Sequence, residues 1–158
     1  MTPLSNTTPG THPYAYESAH IPYPTSMFTQ TPAIPAKSFS NTPFTFVDTP
    51  KALDALISKL QKAKEIAVDL EHHSYRSYAG FVCLMQISTR DEDWVVDTLA
   101  LRNELRETKL GGVMADPSIV KVFHGAESDI VWLQQDFDIY VVNLFDSYHA
   151  SKVLGELL

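Results

Sequence analysis

The chain has 158 residues, with 12 Lys and Arg against 19 Asp and Glu, and a formal net charge of −7. This balance argues against broad phosphate binding, which needs a basic surface, but it does not exclude nucleic acid, because cations bound by clustered carboxylates reverse the local charge. With a single cysteine, no basic start followed by an apolar run, and no apolar stretch near the roughly 18 residues that span a bilayer, we expect a soluble intracellular protein without a disulfide or a membrane partner.

The first 43 residues are rich in Pro, Ser and Thr. Nine of the 10 prolines lie at or before Pro50, and Glu17 and Lys37 are the only charged residues before Asp48. Such a segment buries too little apolar surface to offset its ordering entropy. We therefore predict an extended linker over residues 1–43, whose aromatic side chains could dock on a domain surface.

Residues 44–158 carry the periodic patterns of a partial domain. The predicted elements, in chain order, are a strand at Phe44–Val47, a helix from Pro50 capped by Thr49, a strand at Glu65–Leu70, an antiparallel hairpin of Phe81–Ser88 and Trp94–Val96, a helical stretch at Leu101–Met114 broken at Gly111-Gly112, a strand at Ile119–Phe123, a helix from Glu127, a strand at Tyr140–Leu144 and a helix at Ser147–Leu154. This order predicts an α/β architecture with a mixed sheet, although the order alone leaves several α/β folds open.

The run Val68-Asp69-Leu70-Glu71 ends an apolar strand with two carboxylates. Residues two apart on a strand point to the same side, with Cα atoms roughly 6.6 Å apart. Two negative charges at that spacing raise each other's pKa unless a cation neutralises them, and hard oxygen ligands favour Mg²⁺ or Mn²⁺. Two solvated acids at a strand end are the alternative interpretation.

A third candidate acid, Asp129, follows a predicted strand and a small-residue turn, in the first turn of a helix. The alternative is that Asp129 only stabilises the helix, because a negative charge in the first turn interacts favourably with the helix dipole. Glu127 competes for that structural role and is the preferred candidate for it. Asp146, at the end of a strand and ahead of a helix, is predicted to be an N-cap.

His72, Tyr75 and Arg76 follow the paired acids, in what the pattern predicts to be a loop. Loops beside metal sites are common places for substrate contacts, and an arginine can pair with a phosphate. A solvated loop is the alternative. Trp132, which lies in an apolar helical pattern, is predicted to be a packing residue.

Four runs, Ala67–Ser77, Cys83–Arg90, Val120–Gln134 and Leu144–Ala150, resemble the RNase D-like DEDD 3′–5′ exoribonuclease subunit of the eukaryotic nuclear exosome. The resemblance extends from Phe44 to Leu154. It implies a ribonuclease H-like fold, hydrolysis of RNA from its 3′ end by two Mg²⁺ ions (Mn²⁺ being possible) and a role in RNA processing and decay. It also implies as partners RNA 3′ ends, the exosome core and its cofactor proteins, in the nucleus and nucleolus.

The same resemblance implies four metal-binding acids, of which Asp69, Glu71 and Asp129 match the first three. Asp69 would lie between both metals, Glu71 on the side of the attacking water and Asp129 on the side of the leaving group. The family's third motif is a Tyr followed four positions later by the fourth Asp, and no tyrosine in the chain has Asp at that spacing. We therefore expect a fragment, incomplete at its C-terminus, that is poorly stable and nearly inactive alone.

Three alternatives to this reading remain. His124 and Asp129 have the His-x-x-x-x-Asp spacing of a sister group with a histidine base, although accepting it leaves no second motif between Glu71 and His124. The chain could also be a non-catalytic relic that binds RNA or an exosome protein. A third possibility is an exonuclease of the same fold that degrades DNA, since the metal chemistry acts on either backbone.

Overall fold

The computed structural model describes residues 12–22, 32–35, 37–107 and 109–155. The elements are α1 (Ala15–Ala19), a 3₁₀ turn (Phe39–Asn41), β1 (Phe44–Val47), α2 (Pro50–Leu60), β2 (Glu65–His73), β3 (Phe81–Ser88), β4 (Asp93–Asp97), α3 (Arg102–Glu107), α4 (Leu110–Met114), β5 (Val120–Phe123), α5 (Glu127–Phe137), β6 (Leu144–Asp146) and α6 (Ser147–Leu154). Within these ranges no helix has both the length and the apolar character needed to cross a membrane.

The strands form one sheet in the order β1-β4-β3-β2-β5-β6. The pairs β2–β3 and β3–β4 are antiparallel, whereas the pairs β1–β4, β2–β5 and β5–β6 are parallel. The predicted mixed sheet with flanking helices and the predicted β3–β4 hairpin are therefore confirmed. β2, which carries the paired acids, lies between β3 and β5 in the interior of the sheet.

Side chains of β2 alternate between a buried and an open face of the sheet. Ile66, Val68 and Leu70 belong to the core, whereas Asp69 and Glu71 are exposed. On the buried face lies α2, which begins as predicted, with Thr49 accepting a hydrogen bond from the backbone N–H of Ala52 and Pro50 at the first helical position. Its apolar stripe is buried and consists of Leu53, Leu56, Ile57 and Leu60.

The open face of the sheet is apolar towards its edges. Strand registers place Phe44, Phe46 and Phe145 on this face, and they are 62%, 47% and 42% exposed. Clusters of exposed apolar groups of this kind typically mark surfaces that bind another part of a protein or a partner.

Three predicted boundaries were wrong. β6 is Leu144–Asp146 and not Tyr140–Leu144, because Asn143 adopts a left-handed backbone (φ 61°) that interrupts an extended strand. The helical stretch after Leu101 ends at Glu107 and resumes at Leu110, so that the paired glycines lie inside α4 and not at the break. β2 continues to His73, because cross-strand pairing with β3 extends it beyond its apolar run.

The segment ahead of β1 contacts the domain where it is described. The rings of His12 and Tyr14 lie 5.2 and 6.3 Å from the ring of Tyr140. Lys37 forms an ion pair of 2.5 Å with Asp91 in the β3–β4 turn. The predicted docking of linker aromatic groups is thus seen at Tyr14, whereas Tyr23 and Phe28 lie outside the described residues.

Lys121 is a fully buried lysine of β5, and its ammonium group donates hydrogen bonds of 2.6 Å to the carbonyls of Asp116 and Ile119. Burial lowers its pKa to about 8, against a smaller opposing effect of the Asp116 charge. The folded state therefore disfavours the charged amine. This cost is complete below pH 8 and disappears as the pH rises towards the unfolded value of 10.5.

We predict that wild type gains stability over Lys121→Met as the pH rises. The unfolding free energy of wild type minus that of the variant should increase by about 3 kcal/mol between pH 7 and pH 10.5. Wild type gains stability as Lys121 becomes neutral, and the variant has no such group. Urea denaturation over this pH range measures the difference. Lys62→Met, at an exposed lysine, serves as the control and should show no such growth.

Candidate active site

Asp69 and Glu71 lie on the open face of β2, as their spacing predicts. Asp69 is opposite Gln86 of β3 and Glu71 is opposite Leu84. The side-chain amide of Gln86 donates a hydrogen bond of 3.4 Å to Glu71 Oε1. Because both strands are anchored by the buried face, the two carboxylates point from a rigid surface towards solvent.

Asp129 reaches the same place from the neighbouring strand. β5 runs parallel to β2, with Val122 beside Ala67, so the chain leaves β5 next to Asp69 and enters α5 at the same edge. Asp129 lies in the first turn of α5 and is 7% exposed. Burial, followed by the charges of Asp69 and Asp146, raises the pKa of Asp129 to about 6.

This donor set fits a divalent cation. None of the three carboxylates forms an ion pair with any residue in the described ranges. Asp129 instead experiences the negative charge of Asp69, a repulsion that a cation between them would reverse. Carboxylate oxygens are the ligands that Mg²⁺ and Mn²⁺ prefer, so the charge and the chemistry of these three acids suit such an ion.

Asp146 holds the turn that leads into α5. As predicted, it caps α6, accepting hydrogen bonds from the N–H groups of Tyr148 and His149. It also accepts from the N–H groups of Gly125 and Ala126, at 3.0 and 2.8 Å. Burial raises the pKa of Asp146, but the four N–H donors outweigh it and hold the pKa at about 2. The sequence predicted the cap but not the link to the turn before Asp129.

The three predicted substrate-contact residues do not form one group. Tyr75 is 89% exposed and Arg76 is exposed, both in the loop between β2 and β3. His72, which was predicted to lie in that loop, is a residue of β2 because β2 continues to pair with β3 as far as His73, past a shift in register after Glu71. Its ring stacks on Trp132 of α5, with centroids 4.1 Å apart and planes 3° from parallel.

Gly80 provides the space for the His72 ring. A Cβ at this position would lie 2.1 Å from His72 Cε1, and the backbone has φ +69°. Both facts require glycine here. His72 Nε2 is buried and has no hydrogen-bond partner among the described residues. Trp132 packs as predicted, and its partner is this histidine.

Glu127, Asp146 and His149 form a second group of possible ligands that the sequence analysis did not find. One ligand atom from each lies within 4.8 Å of the others. Glu127 is instead paired with His149 at 2.7 Å, and Asp146 already accepts four backbone hydrogen bonds. We therefore assign these residues to the packing of α6 against the start of α5. No local sequence pattern predicts this group of three residues, because α6 contacts α5 only in the folded chain.

The raised pKa of Asp129 gives a testable pH dependence. A folded pKa near 6, above the ordinary 3.8, means that stability is complete below about pH 4 and is lost as the pH rises through 6. In a chelator, Asp129→Asn should therefore be more stable than wild type at pH 7.5 by roughly 1–3 kcal/mol, with little difference at pH 4. Urea denaturation at the two pH values measures this, with the exposed Asp54→Asn as control.

Comparisons with known proteins show the family to which the chain belongs. The chain matches the family described as 3′–5′ exonuclease over residues 44–157. It is 54% identical over 144 residues to exosome complex exonuclease RRP6 of Saccharomyces cerevisiae, covering 91% of this chain and 19% of that protein. It is 48% identical over 144 residues to exosome complex component 10 of Homo sapiens, covering 91% of this chain and 16% of that protein.

The structure is also similar to the crystal structure of the catalytic core of RRP6 from Trypanosoma brucei. The TM-score is 0.88 at 45% sequence identity, covering 95% of this chain and 41% of the other. The fold is therefore the ribonuclease H-like fold of DEDD exonucleases. The chain spans less than a fifth of the length of the two curated relatives, 19% and 16%.

Proposed function

Since the chain belongs to the 3′–5′ exonuclease family, we propose that it is part of a nuclear exosome exoribonuclease that processes and degrades RNA from its 3′ end. The observation that carries this proposal is that Asp129 lies within electrostatic range of Asp69, since burial and then the charges of Asp69 and Asp146 raise the pKa of Asp129 to about 6. Glu71 lies two residues beyond Asp69 on the same face of β2. The names of the relatives, an exosome complex exonuclease and an exosome component, support the substrate and the partner complex.

We propose that Asp69, Glu71 and Asp129 bind two Mg²⁺ ions, with Mn²⁺ as a possible substitute. When bound, such ions activate a water and stabilise the leaving oxygen of a phosphodiester. Binding requires the ionised form of Asp129, so near pH 6 the residue must release a proton as the ions bind. Asp69 and Glu71 are exposed, so metal ions bound there would be accessible to a phosphate that approaches along the open face of the sheet.

Substrate contacts are proposed for Tyr75, Arg76 and His72. Arg76 would supply the positive charge that the acidic site lacks, and Tyr75 a ring on which a base can stack. Nε2 of His72, one residue beyond Glu71, is buried and has no partner in the described ranges, so a substrate group would have to enter beside Gly80 to bind it. The proposed partners are RNA 3′ ends, the exosome core and its cofactor proteins, and the proposed location is the nucleus, including the nucleolus.

The proposal is tested by metal binding and by the products of RNA cleavage. We expect calorimetry to show Mn²⁺ binding that weakens below pH 6. At high protein concentration, a 5′-labelled single-stranded RNA should shorten slowly from its 3′ end, and a DNA of the same sequence tests the choice of substrate. RNA binding without metal binding or cleavage would favour the non-catalytic alternative. Absence of both would contradict the proposal.

A further inference from the structure

One face of α5 meets the β2–β3 hairpin beside the acids. Asp129, Trp132 and Asp136 are three and then four residues apart, so they share this face of the helix. Asp129 and Asp136 are 7% and 3% exposed. The residue that approaches the site and the residue two turns below it therefore belong to the same contact surface.

The hairpin has a bulge where this surface touches it. Glu71 pairs with Leu84 but His72 pairs with Val82, so β3 contributes an extra residue, Cys83, between the two pairs. A bulge bends the strand locally and leaves backbone groups without their usual ladder partners. The bulge lies immediately after Glu71, and bulges of this kind alter the direction of neighbouring side chains.

α5 contacts both members of the bulged pair, His72 and Val82. Trp132 stacks on the His72 ring from β2. The carboxylate of Asp136 accepts a hydrogen bond of 2.7 Å from the backbone N–H of Val82 on β3. On the other side, the carbonyl of Val82 accepts a hydrogen bond of 2.8 Å from the hydroxyl of Thr98.

Asp136 is itself held by two arginines of α3. Both terminal nitrogens of Arg102 lie 3.3 Å from its carboxylate oxygens, in a bidentate arrangement. Arg106 Nε donates a hydrogen bond of 2.7 Å to the backbone carbonyl of Asp136. A buried carboxylate needs such partners, and removing one side of a buried ion pair is strongly destabilising. Asp136 therefore cannot turn away from Val82 without losing the compensation of its charge.

We propose that Asp136 is a positioning residue of the site: together with the Trp132–His72 stack, it fixes α5 against the bulge of the hairpin and so sets Asp129 relative to Glu71 and Asp69. The inference rests on the proposed function, because its outcome is the arrangement of the metal-binding acids. Asp136 bonds to Val82 of the hairpin from α5, so its proposed role is to fix the position of α5 relative to the strand that carries the paired acids.

The test uses Asp136→Ala and a core control, Leu53→Ala on α2, in the whole chain. We expect Asp136→Ala to weaken Mn²⁺ binding 10- to 100-fold in calorimetry, the range typical of residues that orient metal ligands. Leu53→Ala also destabilises the protein but should leave the Mn²⁺ affinity of the folded fraction unchanged. Circular dichroism at the temperature of the titration verifies that each variant is folded.

A second measurement is independent of metal. Cys83, the single cysteine of the chain, is the extra residue of the bulge and is partly buried, so its rate of thiol labelling reports opening at this point. We expect Asp136→Ala to label faster than Leu53→Ala when urea is adjusted to give both the same unfolding free energy. A return towards the wild-type rate in Asp136→Asn, which keeps an acceptor for Val82, supports the assignment.

The outcomes separate the inference from the proposed function. If wild type binds Mn²⁺ and Asp136→Ala binds it equally well with unchanged Cys83 labelling, the inference is wrong while the proposed function stands. If wild type does not bind Mn²⁺, the proposed function fails. The labelling rates then decide alone whether Asp136 holds the bulge, and equal rates in the two alanine variants overturn that role.

Discussion

Asp69→Asn should lower Mn²⁺ affinity by at least about 100-fold, because it removes the negative charge of a proposed metal ligand. Among neighbouring charges, that of Asp69 has the largest effect on the pKa of Asp129. The change keeps the shape of the side chain, so the loss reports charge and ligand strength rather than packing. Changing an outer-shell residue that orients a ligand costs about 10- to 100-fold in metal affinity, and the loss of a ligand's own charge is expected to cost at least the upper end of that range. Calorimetry at pH 7.5 measures the affinity.

The same variant has a second expected effect, on the titration of Asp129. The charge of Asp69 is the second cause of the raised pKa of Asp129, after burial. In Asp69→Asn that pKa should fall from about 6 but stay above the ordinary value, because the burial is unchanged. Carboxyl resonances followed by NMR measure it. Asp93→Asn, on the same open face in β4, is the matched control and should change neither quantity. Unchanged Mn²⁺ affinity in Asp69→Asn would exclude Asp69 as a ligand.

Asp146→Ala should lower the unfolding free energy by about 3 kcal/mol at neutral pH, a large loss for one exchange of a polar side chain. Removing an N-cap costs about 0.5–2 kcal/mol, and each buried N–H left without a partner adds about 1–3 kcal/mol. Here one change removes the cap of α6 and the acceptor of Gly125 and Ala126. Urea denaturation measures the loss.

The pH dependence of this loss follows from the pKa of Asp146. A folded pKa of about 2, below the ordinary 3.8, gives stability that is present above pH 4 and is lost as the pH falls towards 2. The difference between wild type and Asp146→Ala should therefore shrink below pH 4. Asp146→Asn, which can still accept hydrogen bonds, should retain part of the stability. A constant difference from pH 7 to pH 2.5 would show that the charge of Asp146 does not contribute.

Local pattern predicted the strands and helices whose signal lies in neighbouring residues. Alternation identified the shared face of Asp69 and Glu71, and the Thr49-Pro50 pair identified the start of α2. The extension of β2 to His73 escaped prediction because it depends on pairing with Phe81 across the hairpin, and not on the polar sequence of the extension itself.

The supports of the site could not be predicted for a related reason. In the sequence, Asp136 looks like an ordinary acid near the end of a helix. Its hydrogen bond from the backbone N–H of Val82 joins residues far apart in the chain, and no periodic pattern of residues predicts such a bond. The turn before Asp129 likewise depends on Asp146. Asp146 lies at the end of β6, which pairs with β5, and accepts a hydrogen bond from the backbone N–H of Ala126 in that turn. The acids proposed to carry the chemistry were recognisable from the sequence, whereas the residues proposed to hold them in place required the fold.

The parallel pairing of β2 and β5 also bears on the order in which the site assembles. Glu65 pairs with Val120, so a long connection through β3, β4, α3 and α4 must close before Asp129 can approach Asp69. Contacts that are distant along the chain form slowly, and ligands that bind after the transition state act on the unfolding rate alone. A divalent cation should therefore prolong the lifetime of the folded chain while leaving its refolding rate nearly unchanged.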